Sequence, residues 1–326
     1  MIHRVAVLGL GAMGCLFGSR LAGHARVTLV GSWPAQLRQL RRRGLEVEEA
    51  DGRVTHHRLE ATDDAAAAGP AELVLVLVKS HATGRAAERA REILAPEGLV
   101  LTLQNGLGNR EVLAEALGPE AVALGVTVQG ATVEAPGRIR HAGIGATQLA
   151  RRRPEDRELE EVGKLFRRAG FETLLVDEAD ELLWSKLAVN AAINPLTALM
   201  GVPNGVLEAE AGARALLLRA ALEVAAVAAA QGTEIAQAPE RAREVCRATA
   251  QNRSSMLQDL ARGGRTEVDV VSGAVARFGR EYDVPAPVNE ALWRLVRERE
   301  GNPVPEPWIF PEGSAVEAEI RALIRT

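Results

Sequence analysis

Lys186, Asn190 and Asn194 stand at four-residue steps within the apolar run Trp184-Ser-Lys-Leu-Ala-Val-Asn-Ala-Ala-Ile-Asn-Pro-Leu-Thr-Ala-Leu. Four residues of α-helix turn about 400°, so these side chains drift only about 40° per step and line one face over roughly 12 Å. Leu183, Leu187, Val189 and Ile193 mostly seat the other faces. Two amides buried there without partners would each cost about 1–3 kcal/mol and an ammonium more, which makes a small polar molecule the natural partner. A lysine is protonated near neutral pH, so Lys186 has the chemistry to stabilise a developing oxyanion and hand it a proton. The structural alternative is that Lys186 reaches water along its stem while the asparagines satisfy nearby backbone. Pro195 disfavours helical geometry at Asn194 and frees the carbonyl of Ala191, so the helix is expected to bend or end there.

A second chemical feature opens the chain. Residues 4–8 read as a buried strand, Gly9-Leu10-Gly11-Ala12-Met13-Gly14 opens a helix running to about residue 22, and residues 26–30 read as a second strand. In such a βαβ unit the first glycine permits the tight turn, the second lets backbone approach a pyrophosphate, and the third lets helix and strand pack closely. The phosphates would sit on the helix N-terminus, where free N–H groups and the helix dipole favour anions. Strands at 73–78 and 99–103 with a helix at 84–94 continue a parallel sheet. Lys79 and Gln104-Asn105-Gly106 fall at strand ends, where ligands bind in open α/β sheets, although either also fits an ordinary polar loop.

The third feature is Asn252-Arg-Ser-Ser255-Met-Leu-Gln-Asp259 followed, after a glycine turn, by Arg265-Thr266-Glu267-Val-Asp269. These polar clusters suit a binding site. They equally suit helix caps, with the Ser-Ser pair capping one helix and Thr266-Glu267 opening the next.

These motifs must be positioned by a chain of 326 residues, which is long for a single domain. Residues 121–129 and 131–141 read as hairpin-rich, 155–169 as a helix and 171–176 as a last strand. Beyond residue 178 the pattern is helical at 209–230, 239–261, 267–282 and 287–300, before a Pro-rich surface tail, 302–311, and a short final helix. The expectation is an α/β fold with a Rossmann-type doubly wound parallel sheet at 1–177, binding a dinucleotide, and an all-helical substrate and catalytic domain at 178–326.

Apolar residues make up 47%, charged residues 25% and aromatics 3%, a globular composition with an aliphatic interior. A net charge of −4 argues against nucleic-acid binding, and the arginine runs 41–43 and 151–153 are short enough to be solvated loop or helix-end charges. Cys15 and Cys246 are far apart and the six histidines are scattered, so neither a disulfide nor a metal site is expected, and a reducing cytoplasm fits. The run 215–230 carries Arg219 and Glu223 and falls short of the ~20 apolar residues of a membrane helix, so no membrane association is expected.

Taken in one order, the glycine loop, Gln104-Asn105-Gly106, the Lys186–Asn194 helix followed by Asn204, and the Ser255 and Glu267 block resemble the ketopantoate reductase family over nearly the whole chain. That resemblance implies NADPH-dependent reduction of the 2-keto acid 2-dehydropantoate to pantoate, in pantothenate synthesis, in a cleft between the two domains. It implies catalytic roles for Lys186 and Glu267, the latter also touching the cofactor. Asn190, Asn194, Asn204 and Ser255 match substrate-binding positions, and Lys79 and Asn105 match positions beside the cofactor. A monomer or homodimer is expected. The other readings are a related 2-keto or β-hydroxyacid dehydrogenase acting on another substrate, and a silent NADP(H)-binding sensor.

One position departs from the family. Val30-Gly31-Ser32-Trp33 stands where an arginine usually grips the adenosine 2′-phosphate. No carboxylate is present to favour NAD through the ribose 2′-hydroxyl, so NADPH is expected by a modest margin through Ser32, helped by Lys79 or Arg38, with NADH as the other cofactor the loop admits.

Overall fold

A computed structural model describes residues 1–301 and 315–324, so the Pro-rich segment 302–311 lies outside the described residues. The chain divides into two compact units: residues 1–104 with 108–179, and residues 105–107 with 180–326.

The first unit runs β1 (Arg4–Leu8), α1 (Ala12–Leu21), β2 (Arg26–Val30), α2 (Pro34–Arg43), β3 (Leu45–Glu48), β4 (Val54–His57), β5 (Glu60–Thr62) and β6 (Ala71–Val76). It continues through α3 (Thr83–Ile93), β7 (Leu94–Thr102), α4 (Asn109–Leu117), β8 (Val122–Thr127), β9 (Gly130–Ala135), β10 (Arg138–Gly143), β11 (Thr147–Ala150), α5 (Arg157–Arg168) and β12 (Thr173–Val176). Eight strands form the main sheet in the order β12-β11-β8-β7-β6-β1-β2-β5. Every pairing in it is parallel except β11 with β8. The six strands from β5 to β8 reproduce the 3-2-1-4-5-6 order of a dinucleotide-binding sheet.

Strand alternation splits the core between the two faces. Val5, Val7, Leu73, Leu75, Leu99 and Leu101 pack on one side with Phe17 of α1 and Phe166 of α5. Ala6, Leu8, Val74, Val76 and Val100 pack on the other with Ala86, Ala90 and Leu113 of α3 and α4. Phe17 and Phe171 stack with centroids 4.3 Å apart.

A second sheet, β4-β3-β10-β9, was not legible in the sequence. The hairpin expected over 121–141 is confined to β9 and β10, while β8 joins the main sheet instead. Val47 and Ile139 of the small sheet share the core containing Phe17. The second arginine run is also not simply solvated: Arg152 is buried against Asp156, and Arg153 pairs with Glu158 at 2.6 Å.

The second unit is helical: α6 (Asp180–Met200), α7 (Asn204–Ala209), α8 (Ala211–Ala230), α9 (Ala238–Ala248), α10 (Ser255–Ala261), α11 (Ser272–Glu281), α12 (Pro287–Arg299) and α13 (Ala315–Ile324). Among the described residues no helix is long and apolar enough to cross a membrane. The N-terminal half of α6 packs Trp184, Leu187, Ala188 and Ala191 into one cluster, and its C-terminal half packs Ile193, Leu196 and Leu199 into another. That double anchorage explains why α6 runs through Pro195 to Met200 rather than ending there.

Two other expectations are corrected. The helix expected at 239–261 is two helices, because 249–254 leave helical geometry, and 267–271 form a turn ahead of α11 rather than its first residues. At the start of α12 the Glu223 carboxylate of α8 accepts from the backbone N–H groups of Val288 and Asn289 at 2.8 and 2.9 Å, capping a helix that lacks a side-chain cap at its own N-cap residue.

Candidate active site

Between residues 187 and 199 of α6, only Val189, Asn190 and Asn194 escape full burial. One turn earlier on the same face, Lys186 is half-buried. Burial pulls its ammonium down to about 8, with the negative charge of Glu267 opposing that fall. The polar ladder read from spacing is therefore a partly open strip on a helix that, from residue 187 to 199, is otherwise buried except at Val189.

Glu267 is buried and lies in the turn before α11. Its Oε2 accepts a hydrogen bond from Asn105 Nδ2 at 3.2 Å. The backbone reinforces this contact, since Leu107 N–H donates to the Val270 carbonyl at 3.0 Å. Gly106, between them, has φ +81°, and a Cβ there would collide with that same carbonyl. Two segments 162 residues apart in sequence are thus locked together at Glu267.

The serine pair divides its labour. Buried Ser254 caps α10 by accepting from Leu257 N–H at 3.1 Å, and its hydroxyl lies 2.7 Å from Thr197 Oγ1. Ser255 is exposed at the first position of the helix. Thr197 Oγ1 is also 3.0 Å from the carbonyls of Ile193 and Asn194, tying the helix around Pro195 to the N-terminus of α10. Sequence reasoning passed over Thr197; its signal was a hydroxyl two residues after an intrahelical proline. Asn204 is buried, with Nδ2 donating to Thr249 Oγ1 at 2.9 Å. Its Oδ1 is buried with no hydrogen-bond partner among the described residues.

In the first unit Gly9 has φ +131°, and a Cβ there would stand 2.7 Å from the Leu77 carbonyl. At Gly14 a Cβ would collide with the Gly9 carbonyl, whereas at Gly11 it would meet nothing within 4 Å. Gly11 is the N-cap of α1 and supplies no side chain to the first N–H groups. Leu10, Ala12 and Met13 complete this open turn, which has the form that receives a pyrophosphate. Ser32 is exposed just beyond β2, after Gly31, whose N–H donates to the Thr62 carbonyl at 2.9 Å. Lys79 is half-buried three residues after β6. Gln104 is buried, and its Nε2 donates to the Val78 carbonyl and to Thr83 Oγ1, each at 2.9 Å, so it joins the loops after β6 and β7. Both cysteine thiols are pushed up to about 12, foremost by burial, which leaves them poor nucleophiles at neutral pH.

Comparison with known proteins places this geometry among its relatives. The sequence profile described as "Ketopantoate reductase PanE/ApbA" matches residues 5–154, and that described as "Ketopantoate reductase PanE/ApbA C terminal" matches residues 178–300. The chain is 42% identical to a 2-dehydropantoate 2-reductase of Halobacterium salinarum, over 91% of this chain and 100% of that protein. It is 35% identical to the protein of the same name from Archaeoglobus fulgidus, over 91% and 97% respectively. Among solved structures, a PanE/ApbA family ketopantoate reductase from Ralstonia eutropha JMP134 superposes with a TM-score of 0.84 at 33% identity, covering 91% of this chain and 98% of that one. A D-mandelate dehydrogenase in complex with NADH and anilino(oxo)acetate superposes with a TM-score of 0.85 at 23% identity, covering 91% and 98%, a likeness of fold. With both profiles matched in order and relatives spanning the same length, the chain belongs to the ketopantoate reductase family.

Proposed function

We propose that this protein is a 2-dehydropantoate 2-reductase that uses NADPH to make (R)-pantoate, a step toward pantothenate. The observation carrying this reading is the partly open polar strip of Lys186, Asn190 and Asn194 on α6, with the charge of Glu267 acting on Lys186. The first unit serves the dinucleotide through Gly9, Leu10, Gly11, Ala12, Met13 and Gly14, with Ser32 and Lys79 beside it, and the second serves the keto acid.

The uncapped N-terminus of α1 and the open space beside Gly11 fit a pyrophosphate. When bound, NADPH supplies the hydride that reduces the ketone carbon. The chain's own residues then manage charge and protons. Lys186 donates a hydrogen bond to the ketone oxygen and yields its proton as negative charge grows there; solvent restores it. Glu267 keeps the neighbouring ammonium charged and accepts from a substrate hydroxyl, while Asn105 holds its carboxylate and stands by the reacting centre. Asn190, Asn194 and exposed Ser255 offer neutral donors and acceptors to the carboxylate and hydroxyl of the acid, and Asn204 shapes the region with its buried carbonyl oxygen.

A screen of NADPH oxidation over branched and unbranched 2-keto acids tests this. The highest kcat/KM is expected for 2-dehydropantoate. A clear preference for another 2-keto acid would reassign the enzyme within the fold, and turnover of none would leave a nucleotide-binding protein.

A further inference from the structure

We propose that Asp269 is a positioning residue that sets the place of the Glu267 carboxylate by clamping its turn to one face of α12. This rests on the reading of Glu267 as an active-site carboxylate. Asp269 Oδ1 accepts from Trp293 Nε1 at 2.8 Å, and its Oδ2 accepts from an Arg297 guanidinium nitrogen at 3.0 Å and from Arg265 at 2.9 Å. Its backbone carbonyl accepts from Arg277 at 2.9 Å. On the other side of Glu267, the Thr266 N–H donates to Glu300 Oε1 at 2.6 Å. Trp293, Arg297 and Glu300 lie at helical spacings of four and three, so a single stripe of α12 and its C-cap fixes residues 266 and 269.

The local sequence explains why a clamp is needed. Thr266-Glu-Val-Asp269 has the form of a capping box, in which Asp269 would reach back to the Thr266 N–H and residues 267–271 would begin the next helix. Instead Asp269 is diverted to Trp293 and Arg297, and Glu300 takes the Thr266 N–H in its place. The result is a turn in which the Glu267 carbonyl accepts from both Val270 and Val271 N–H, and α11 starts only at Ser272. Starting α11 a turn earlier would swing Glu267 about the helix axis, away from Asn105 and from the position where its charge acts on Lys186. Trp293 and Arg297 are buried while the Asp269 carboxylate between them is about a quarter exposed at 28%, so these two donors are the protected part of the clamp, whereas Arg265 is half-exposed and adds little. The clamp acts through the backbone on either side of Glu267.

Three variants test this in the full-length enzyme: Asp269→Asn, Trp293→Phe and Glu300→Gln, each compared with Glu267→Gln. Asp269→Asn is expected to lower kcat about tenfold to a hundredfold, the scale of a small misplacement of a catalytic group. It should also move the alkaline limb of the kcat profile to lower pH, as Glu267→Gln does, because the charge supporting Lys186 is displaced. Trp293→Phe, which removes the indole donor to Asp269, and Glu300→Gln, which leaves only a neutral acceptor for the Thr266 N–H, should show the same shift in smaller measure and keep the proposal testable if Asp269→Asn does not fold. Variants that lose thermal stability but keep kcat and pH profile per folded enzyme would overturn the proposal. If Glu267→Gln is impaired and the clamp variants are not, the clamp alone fails. If Glu267→Gln itself has normal kcat and pH profile, the reading of Glu267 fails first.

Discussion

Asn105 Nδ2 holds Glu267 Oε2 at 3.2 Å across 162 residues of sequence. That one bond ties the strand-end turn after β7 to the turn before α11, and Gly106 is what lets their backbones meet. A Cβ at residue 106 would be strained by the positive φ and would push against the Val270 carbonyl. Gly106→Ala is therefore expected to lower kcat/KM for 2-dehydropantoate at least tenfold, with a loss of stability on the order of 1–3 kcal/mol. Steady-state kinetics and thermal denaturation check both parts; wild-type kinetics would show that the two turns need not be in register.

The rate should fall on the alkaline side near pH 8. The reaction needs the ammonium form of Lys186, whose pKa burial lowers to about 8, so the competent form is lost as pH rises through that value. Glu267 opposes the lowering, so Glu267→Gln should move the limb to lower pH. A kcat profile flat to pH 10 would contradict the assignment, as would an upward shift in Glu267→Gln.

Asn190→Ala and Ser255→Ala should mainly raise KM for the keto acid, because both side chains recognise the ground state. Their position supports this: Asn190 is one of three residues left incompletely buried between 187 and 199, and Ser255 is exposed while Ser254 does the capping. Weakened NADPH binding with an unchanged substrate KM would put them on the other ligand.

NADPH should be preferred over NADH by a modest margin. Ser32 offers a hydroxyl and no charge, in contrast to the charge-assisted contact of an arginine. The neighbouring Arg41 is already paired with Asp63 at 2.8 Å, while Arg38 is exposed on α2. Ser32→Asp is expected to reverse or erase the preference by placing a like charge beside the 2′-phosphate. The ratio of kcat/KM for the two cofactors measures it, and a wild-type preference for NADH would sink the claim.

What the sequence disclosed follows physical lines. The βαβ opening was legible because strand, glycine turn and helix are all specified locally, and the strip on α6 because helical periodicity needs no partner to be read. The small sheet was not: β4 is Val54-Thr-His-His, four residues without an apolar alternation, and it is a strand because β3 pairs with it. The helix start assigned to Thr266-Glu267 failed because bonds from Trp293, Arg297 and Glu300 outweigh a capping box. Pro195 failed to end α6 because Leu196 and Leu199 are buried beyond it. In the last two cases tertiary contacts overrode a sound local signal.

The most direct test of the central claim is kcat for Lys186→Ala with 2-dehydropantoate and NADPH, measured beside NADPH affinity by direct titration. The expected result is a fall in kcat of roughly 10² to 10⁴, the usual worth of a positioned general acid, with NADPH still bound. A variant with near-normal kcat would remove Lys186 from the mechanism.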